Sequence, residues 1–212
     1  MTKQRVIGVL VSGRGSNLQS IMDAIDAGAL PVKIGIVISD KANAYALERA
    51  RIAGIPSLVV ERKNYQDKAA FEATIDDALR GAKVELVVLA GFMRILGSGF
   101  VRSWAGRIMN IHPALLPSFP GLDAHAQAIA YGAKVSGCTV HYVDEGVDSG
   151  PIILQQAVPV LAGDTEETLA ERILIEEHRL YPEAIRLWAL GQLVVSGRCV
   201  TIKTGHFDEQ KE

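Results

Sequence analysis

Three short segments of this 212-residue chain hold residue types that could do chemistry together. The first is Ser12-Gly13-Arg14-Gly15-Ser16-Asn17. Glycines let the backbone turn sharply and approach a ligand closely. A helix starting there would present unpaired amides and a partial positive charge, which suits a phosphate. The spacing is neither Walker A nor GxGxxG, because Leu18 stands where the last glycine would fall. Taken alone, the segment fits a tight turn with a Ser or Asn helix cap equally well.

The second segment is Asn110-Ile111-His112-Pro113. Side chains alternate along a strand, so Asn110 and His112 share one side. An amide donor beside an imidazole suits acyl transfer, since the amide can stabilise an oxyanion and the imidazole can move a proton. A lone histidine at a strand end is more often a hydrogen-bonded structural residue; the paired Asn and the stop at Pro113 tilt that balance. The third segment is Asp144-Glu145-Gly146-Val147-Asp148-Ser149-Gly150-Pro151. By itself it reads as an acidic, solvated turn. Asp148 matters if the loop folds over His112, where a carboxylate would favour the imidazolium.

The elements that must position these residues follow an alternating pattern. Arg5–Ser12 is an almost continuous apolar run, as in a strand covered on both faces. Leu18, Ile21, Met22 and Ile25 form one helix face, with Gly28 placed to end it. Val32–Ser39 reads as a strand, and Asn43 can cap a helix running to about Ile52, stopped by Gly54. Ile55–Val60 is a third strand, Phe71, Ile75, Ala78 and Leu79 a helical stripe ending at Gly81, and Val84–Ala90 a fourth strand. Such alternation implies right-handed crossovers and a parallel sheet, with ligands at the carboxyl ends of its strands.

After residue 100 the pattern changes. Arg107–His112 is a strand, Pro113–Gly121 a loop, Ala124–Tyr131 a short helix, and Cys138–Val143 and Ile152–Val160 are strands. Asp164 starts a long helix with Glu167 at the capping-box position, which Pro182 should kink or restart. Leu193–Lys203 reads as an edge hairpin and His206–Glu212 as a polar tail. The fold expected is therefore a single α/β domain: a Rossmann-like, open twisted sheet, mostly parallel, with an antiparallel C-terminal part. Its phosphate-binding half would span about residues 1–100 and its catalytic half about 101–203.

Composition removes several function classes. The formal charge is −2, so no global field recruits nucleic acid or an anionic membrane. Cys138 and Cys199 form no CxxC pair, and the five histidines show no HxH or HxxxH pairing, so no metal is expected. No apolar run of about twenty residues offers a membrane span. A cytoplasmic location is the expectation.

The motifs SGRGSNLQ (Ser12–Gln19), LAGFMRIL (Leu89–Leu96), NIHPALLP (Asn110–Pro117), PGLDAH (Pro120–His125) and DSGPIIL (Asp148–Leu154) occur in this order. Together they resemble the phosphoribosylglycinamide formyltransferase family of purine synthesis, over essentially Arg5 to Leu193. The resemblance implies formyl transfer from 10-formyltetrahydrofolate, a co-substrate, to the amine of a phosphorylated glycinamide, without a metal. By position it implies Asn110, His112 and Asp148 as catalytic residues, and Gly15, Ser16 and Asn17 as the phosphate loop. Glu177 would hold the glycinamide substrate. Met93, Arg94, Ile95 and Leu96 would line the folate pocket largely through backbone, with Asn110 and the Asp144-Glu145-Gly146-Val147-Asp148 loop on its other side. Lys68 aligns with a folate contact where some members carry Arg; lysine lacks the bidentate fork.

Formyltetrahydrofolate deformylase, a hydrolase, is similar around the Asn-x-His and Asp motifs but usually carries an additional N-terminal domain, and the GRGSN loop suits a phosphorylated acceptor better. Methionyl-tRNA formyltransferase carries a further tRNA-binding domain that needs more length and a basic surface. A binding module with a degenerate site would lack the complete Asn110, His112 and Asp148 set. A Rossmann dehydrogenase would need the third glycine. The expected partners are small-molecule substrates, not nucleic acid or membrane, in a monomer or homodimer.

Overall fold

The computed structural model describes residues 4–203, so the polar tail lies outside the described residues. Nine strands form one sheet in the order β3-β2-β1-β4-β5-β6-β7-β9-β8. The strands β1 (Arg5–Val11), β2 (Val32–Ser39), β3 (Ser57–Val59), β4 (Leu86–Leu89) and β5 (Ile108–His112) run parallel. Next, β6 (Val135–Tyr142) pairs antiparallel with β5 and with β7 (Ile152–Pro159). The hairpin of β8 (Leu193–Ser196) and β9 (Cys199–Ile202) ends the sheet. Strand order reverses between β1 and β4, and that switch point opens the crevice where such sheets receive ligands.

Alternation along β1 builds both layers. Ile7, Val9 and Val11 face one core, shared with Leu18 and Ile21 of α1 (Ser16–Asp26) and with Leu169, Ile173 and Tyr181 of α6 (Glu166–Ala189). Val6 and Leu10 face the other, shared with Phe71, Ile75 and Leu79 of α3 (Lys68–Gly81) and with Phe100 of α4 (Ser98–Ser103). Helix α2 (Tyr45–Ile52) covers the β2 side and α5 (Ala124–Tyr131) lies against α6. Gly8 is required by packing: a Cβ there would stand 2.5 Å from the Leu79 side chain. Among the described residues no helix is long and apolar enough to cross a membrane.

Several local expectations give way to the structure. Helix α2 is capped by Ala44 with no side-chain hydrogen bond, not by Asn43, so its entry is set by tertiary contacts. The third strand is shorter than Ile55–Val60, and β6 begins three residues before Cys138. The capping box of α6 joins Thr165 and Thr168 rather than Asp164 and Glu167. Asp164 instead accepts from the Thr168 hydroxyl and from Arg172 at 2.7 and 2.9 Å. Helix α6 continues through Pro182 without restarting, since burial of its neighbours Tyr181, Ala184 and Ile185 holds the helix on the sheet. Helix α4 has only six residues, too few to display a periodic stripe.

Candidate active site

The site is built on the carboxyl ends of β1, β4 and β5. The Tyr181 hydroxyl, fully buried, donates to the carbonyls of Leu89 at 3.0 Å and Met109 at 2.8 Å. That bifurcated contact pins α6 across the ends of β4 and β5, immediately before Asn110. One turn earlier on α6, Glu177 faces the same way, as i and i+4 residues do. Its carboxylate accepts from Asn17 Nδ2 at 2.8 Å, across 160 residues of sequence. Burial raises the Glu177 pKa, and the Asn17 hydrogen bond offsets part of that rise.

Helix α1 starts without a side-chain cap. Gly15 occupies the cap position at φ 71°, a left-handed conformation that glycine adopts without a steric cost, and neither Ser16 nor Asn17 caps the helix. The first-turn amides, which no helix pairs internally, therefore lack a side-chain acceptor as well. The loop is fastened to the segment after β4: Ser12 N donates to Gly91 O at 3.0 Å, and the Ser12 hydroxyl accepts from Met93 N at 2.9 Å.

Asp148 is the meeting point of the other groups. One carboxylate oxygen lies 3.3 Å from His112 Nδ1 and accepts from Gly121 N at 2.8 Å. The other lies 3.5 Å from Asn110 Nδ2 and 3.6 Å from His141 Nε2. Burial opposes ionisation of Asp148, but the approach of His141, the Gly121 amide and the charge of His112 together outweigh it and hold its pKa below the ordinary value. His112 Nε2 faces the Phe119 carbonyl at 2.8 Å. Both ring nitrogens thus face oxygen acceptors, and both can donate only when the ring carries two protons.

The DEGVDSGP loop is held in place by its own contacts. Asp144 accepts from Gly146 N at 3.0 Å and from the Ser149 hydroxyl at 2.6 Å. Asp148 takes φ 49°, a left-handed conformation uncommon outside glycine and tolerated best by Asn and Asp. A Cβ on Gly150 would overlap the Tyr142 carbonyl at 1.8 Å, so only glycine lets the loop return beside β6. Glu145 pairs with Arg102 of α4 at 2.8 Å, and Val147 is exposed.

Met93 and Ile95 are exposed, while Arg94 Nε donates to the buried Asp40 at 2.5 Å. Leu96 packs against the core on the α3 side. Gly97 N donates to Glu72 at 2.7 Å, and Lys68 Nζ lies 3.8 Å from that carboxylate. Lys68 is thus placed at the outer edge of the 93–97 segment through Glu72; among the described contacts none joins it to Asn110, His112 or Asp148.

Sequence reasoning missed His141. It is buried, stands opposite Asn110 across the β5–β6 ladder, and lies 3.2 Å from Asn110 Nδ2 through its Nε2. Its Nδ1 faces the Tyr142 carbonyl at 2.9 Å. A strand pairing of NIH with TVH would have exposed the relationship, but register is not readable from either strand alone. His125, on α5, is a further imidazole nearby; burial and the charge of His112 push its pKa down.

Residues 5–185 match the formyl transferase family. The chain is 53% identical over 189 residues to the trifunctional purine biosynthetic protein adenosine-3 of Drosophila pseudoobscura pseudoobscura, covering 88% of this chain and 14% of that much longer relative. It is 46% identical over 178 residues to phosphoribosylglycinamide formyltransferase of Bacillus subtilis, covering 84% of this chain and 91% of the relative. The crystal structure of glycinamide ribonucleotide transformylase 1 from Symbiobacterium toebii has a TM-score of 0.93 at 53% identity over 95% of each chain. A formyltetrahydrofolate deformylase from Pseudomonas syringae pv. tomato has a similar fold, with a TM-score of 0.89, at 26% identity over 95% of this chain and 66% of its own. With most of its length matched in both sequence and fold, this chain belongs to the formyl transferase family.

Proposed function

We propose that the chain transfers a formyl group from 10-formyltetrahydrofolate to the amine of 5'-phosphoribosylglycinamide, giving formylglycinamide ribonucleotide and tetrahydrofolate in purine synthesis. The observation that carries this reading is the convergence of Asn110 and His112 on Asp148 at the same carboxyl edge of the sheet as an α1 N-terminus with no side-chain cap. The higher identity to relatives named for formyl transfer to this acceptor supports it over the hydrolase.

The neutral acceptor amine attacks the formyl carbon, and the carbonyl oxygen takes the negative charge. Asn110 donates to that oxygen, and doubly protonated His112, held between Asp148 and the Phe119 carbonyl, stabilises it through its charge. Asp148 holds His112 in its charged form and guides the proton from the attacking nitrogen towards N10 of the folate, whose bond to the formyl carbon then breaks. The first-turn amides at Gly15, Ser16 and Asn17 hold the acceptor phosphate, and Glu177 holds its glycinamide end. The 93–96 segment and the 144–148 loop, with exposed Met93, Ile95 and Val147, flank the folate, and Lys68 meets its outer end. Alignment of two substrates in one crevice supplies much of the acceleration. The reaction uses no metal, nucleic acid or membrane, and runs in the cytoplasm in a monomer or homodimer.

The test is tetrahydrofolate release from 10-formyltetrahydrofolate with and without the glycinamide ribonucleotide. Release that depends on the acceptor supports transfer. Equal release without it makes the chain a deformylase.

A further inference from the structure

Arg49 is placed unlike most other arginines of the molecule. Arg51, Arg80, Arg94 and Arg172, for example, each pair with a carboxylate. Among the described residues no carboxylate lies within 4.0 Å of Arg49. Its guanidinium lies 4.9 Å above the Tyr45 ring, donates from Nε to the Arg14 carbonyl at 2.9 Å, and donates from Nη1 to Gln19 Oε1 at 2.8 Å. The charge is therefore in no direct ion pair; Gln19, which also donates to Asp23 at 2.8 Å, stands between it and that carboxylate, and it is held against the Gly13–Gly15 turn. It also lines a cavity of about 190 Å³ with Ser16, Gln19, Ser20, Asp23 and His178.

Two carbonyls of the turn are drawn towards α2. Gly13 O accepts from Ala46 N at 3.1 Å, and Arg14 O accepts from Arg49. In a trans peptide the C=O and the following N–H point in opposite directions. Holding these carbonyls on α2 turns the Arg14 and Gly15 amides away from it, to the side where the first-turn amides of α1 are free. Gly15 also fits tightly, since a Cβ there would stand 2.6 Å from Ala46 Cβ. Helix α2 thus shapes the turn, and within α2 Arg49 makes the side-chain hydrogen bond to it.

We propose that Arg49 is a positioning residue for the anionic end of the acceptor: it orients the 13–15 turn through the Arg14 carbonyl and supplies beside it a positive charge held in no direct ion pair. This rests on the reading that the acceptor phosphate binds at that turn. Losing both the bond and the charge should weaken the acceptor and leave the formyl donor and the chemical step alone.

The test compares R49M, R49K and R51M with the parent enzyme, measuring KM for glycinamide ribonucleotide, KM for 10-formyltetrahydrofolate, kcat and inhibition by inorganic phosphate. R49M should raise the acceptor KM and the phosphate inhibition constant about tenfold, as for loss of a charge-assisted hydrogen bond, with kcat and the donor KM within about twofold. R49K should recover part of the loss, because lysine keeps the charge and one donor. R51M, which removes an exposed pair with Glu48 on the same helix, should change none of the four. Ser16→Asp, measured alongside, tests the phosphate reading directly. If it raises the acceptor KM and R49M does not, the role of Arg49 is refuted and the phosphate reading stands. If neither does, both fall. A uniform loss in R49M, in kcat and both KM values, assigns Arg49 a merely structural role and overturns the proposal.

Discussion

Asn110 and His141 face each other across the β5–β6 ladder, with Asn110 Nδ2 3.2 Å from His141 Nε2. The Tyr142 carbonyl that faces His141 Nδ1 can only accept, which assigns the proton of a neutral ring to Nδ1 and leaves Nε2 to accept from the Asn110 amide. That contact fixes which end of the amide is the donor, the end an oxyanion needs. His141→Ala should lower kcat by about tenfold to a hundredfold, in line with a loosened oxyanion donor, with little change in binding of either substrate. Steady-state kinetics with equilibrium titration of both substrates checks this. An unchanged kcat would mean that Asn110 is oriented by other contacts.

Tyr181 gives a prediction about stability. Its hydroxyl serves the Leu89 and Met109 carbonyls in a fully buried place. Tyr181→Phe preserves the packing and leaves those carbonyls short of a donor, so unfolding free energy should fall by about 1–3 kcal/mol. Urea denaturation measures it; no loss would show that the carbonyls are satisfied without the hydroxyl.

Ser16→Asp should weaken the acceptor far more than the folate, because a carboxylate at the first turn of α1 would repel a phosphate. Calorimetric titration of each ligand reads the difference. Equal losses would move the phosphate away from this turn.

Activity should survive thorough chelation and gain nothing from added zinc. Among the described residues no three His, Cys, Asp or Glu side chains are grouped to hold a metal ion. Restoration of lost activity by zinc, but not by dialysis alone, would reverse the claim.

Much of this architecture was legible because burial repeats at the right period. The run Arg5–Ser12 and the stripe Leu18, Ile21, Met22 and Ile25 dictate a strand and a helix, and the turn between them has glycine where φ is positive. Contacts between distant segments were less legible. The link from Asn17 to Glu177 joins segments far apart and no sequence signal pointed to it; the meeting of Asp148 with His112 hung on how the loop folds, and only the family resemblance put both in one site. His141 needed the register of β6 against β5, which periodicity does not carry. Helix α4 and the cap of α2 depend on tertiary packing more than on their own residues, so local signals miss the first and misplace the second.

The most direct test is a kinetic double-mutant cycle on the central pair. Asp148 Oδ2 lies 3.3 Å from His112 Nδ1, and Asp148→Asn keeps the shape while removing the charge. Asp148→Asn alone should cost about a hundredfold or more in kcat. His112→Ala alone should also cost a large factor. If the two act as one unit in the transition state, the double variant should lose much less than the product of the single losses. Multiplicative losses, with each residue contributing independently, would contradict the account and mean that Asp148 does not act through His112.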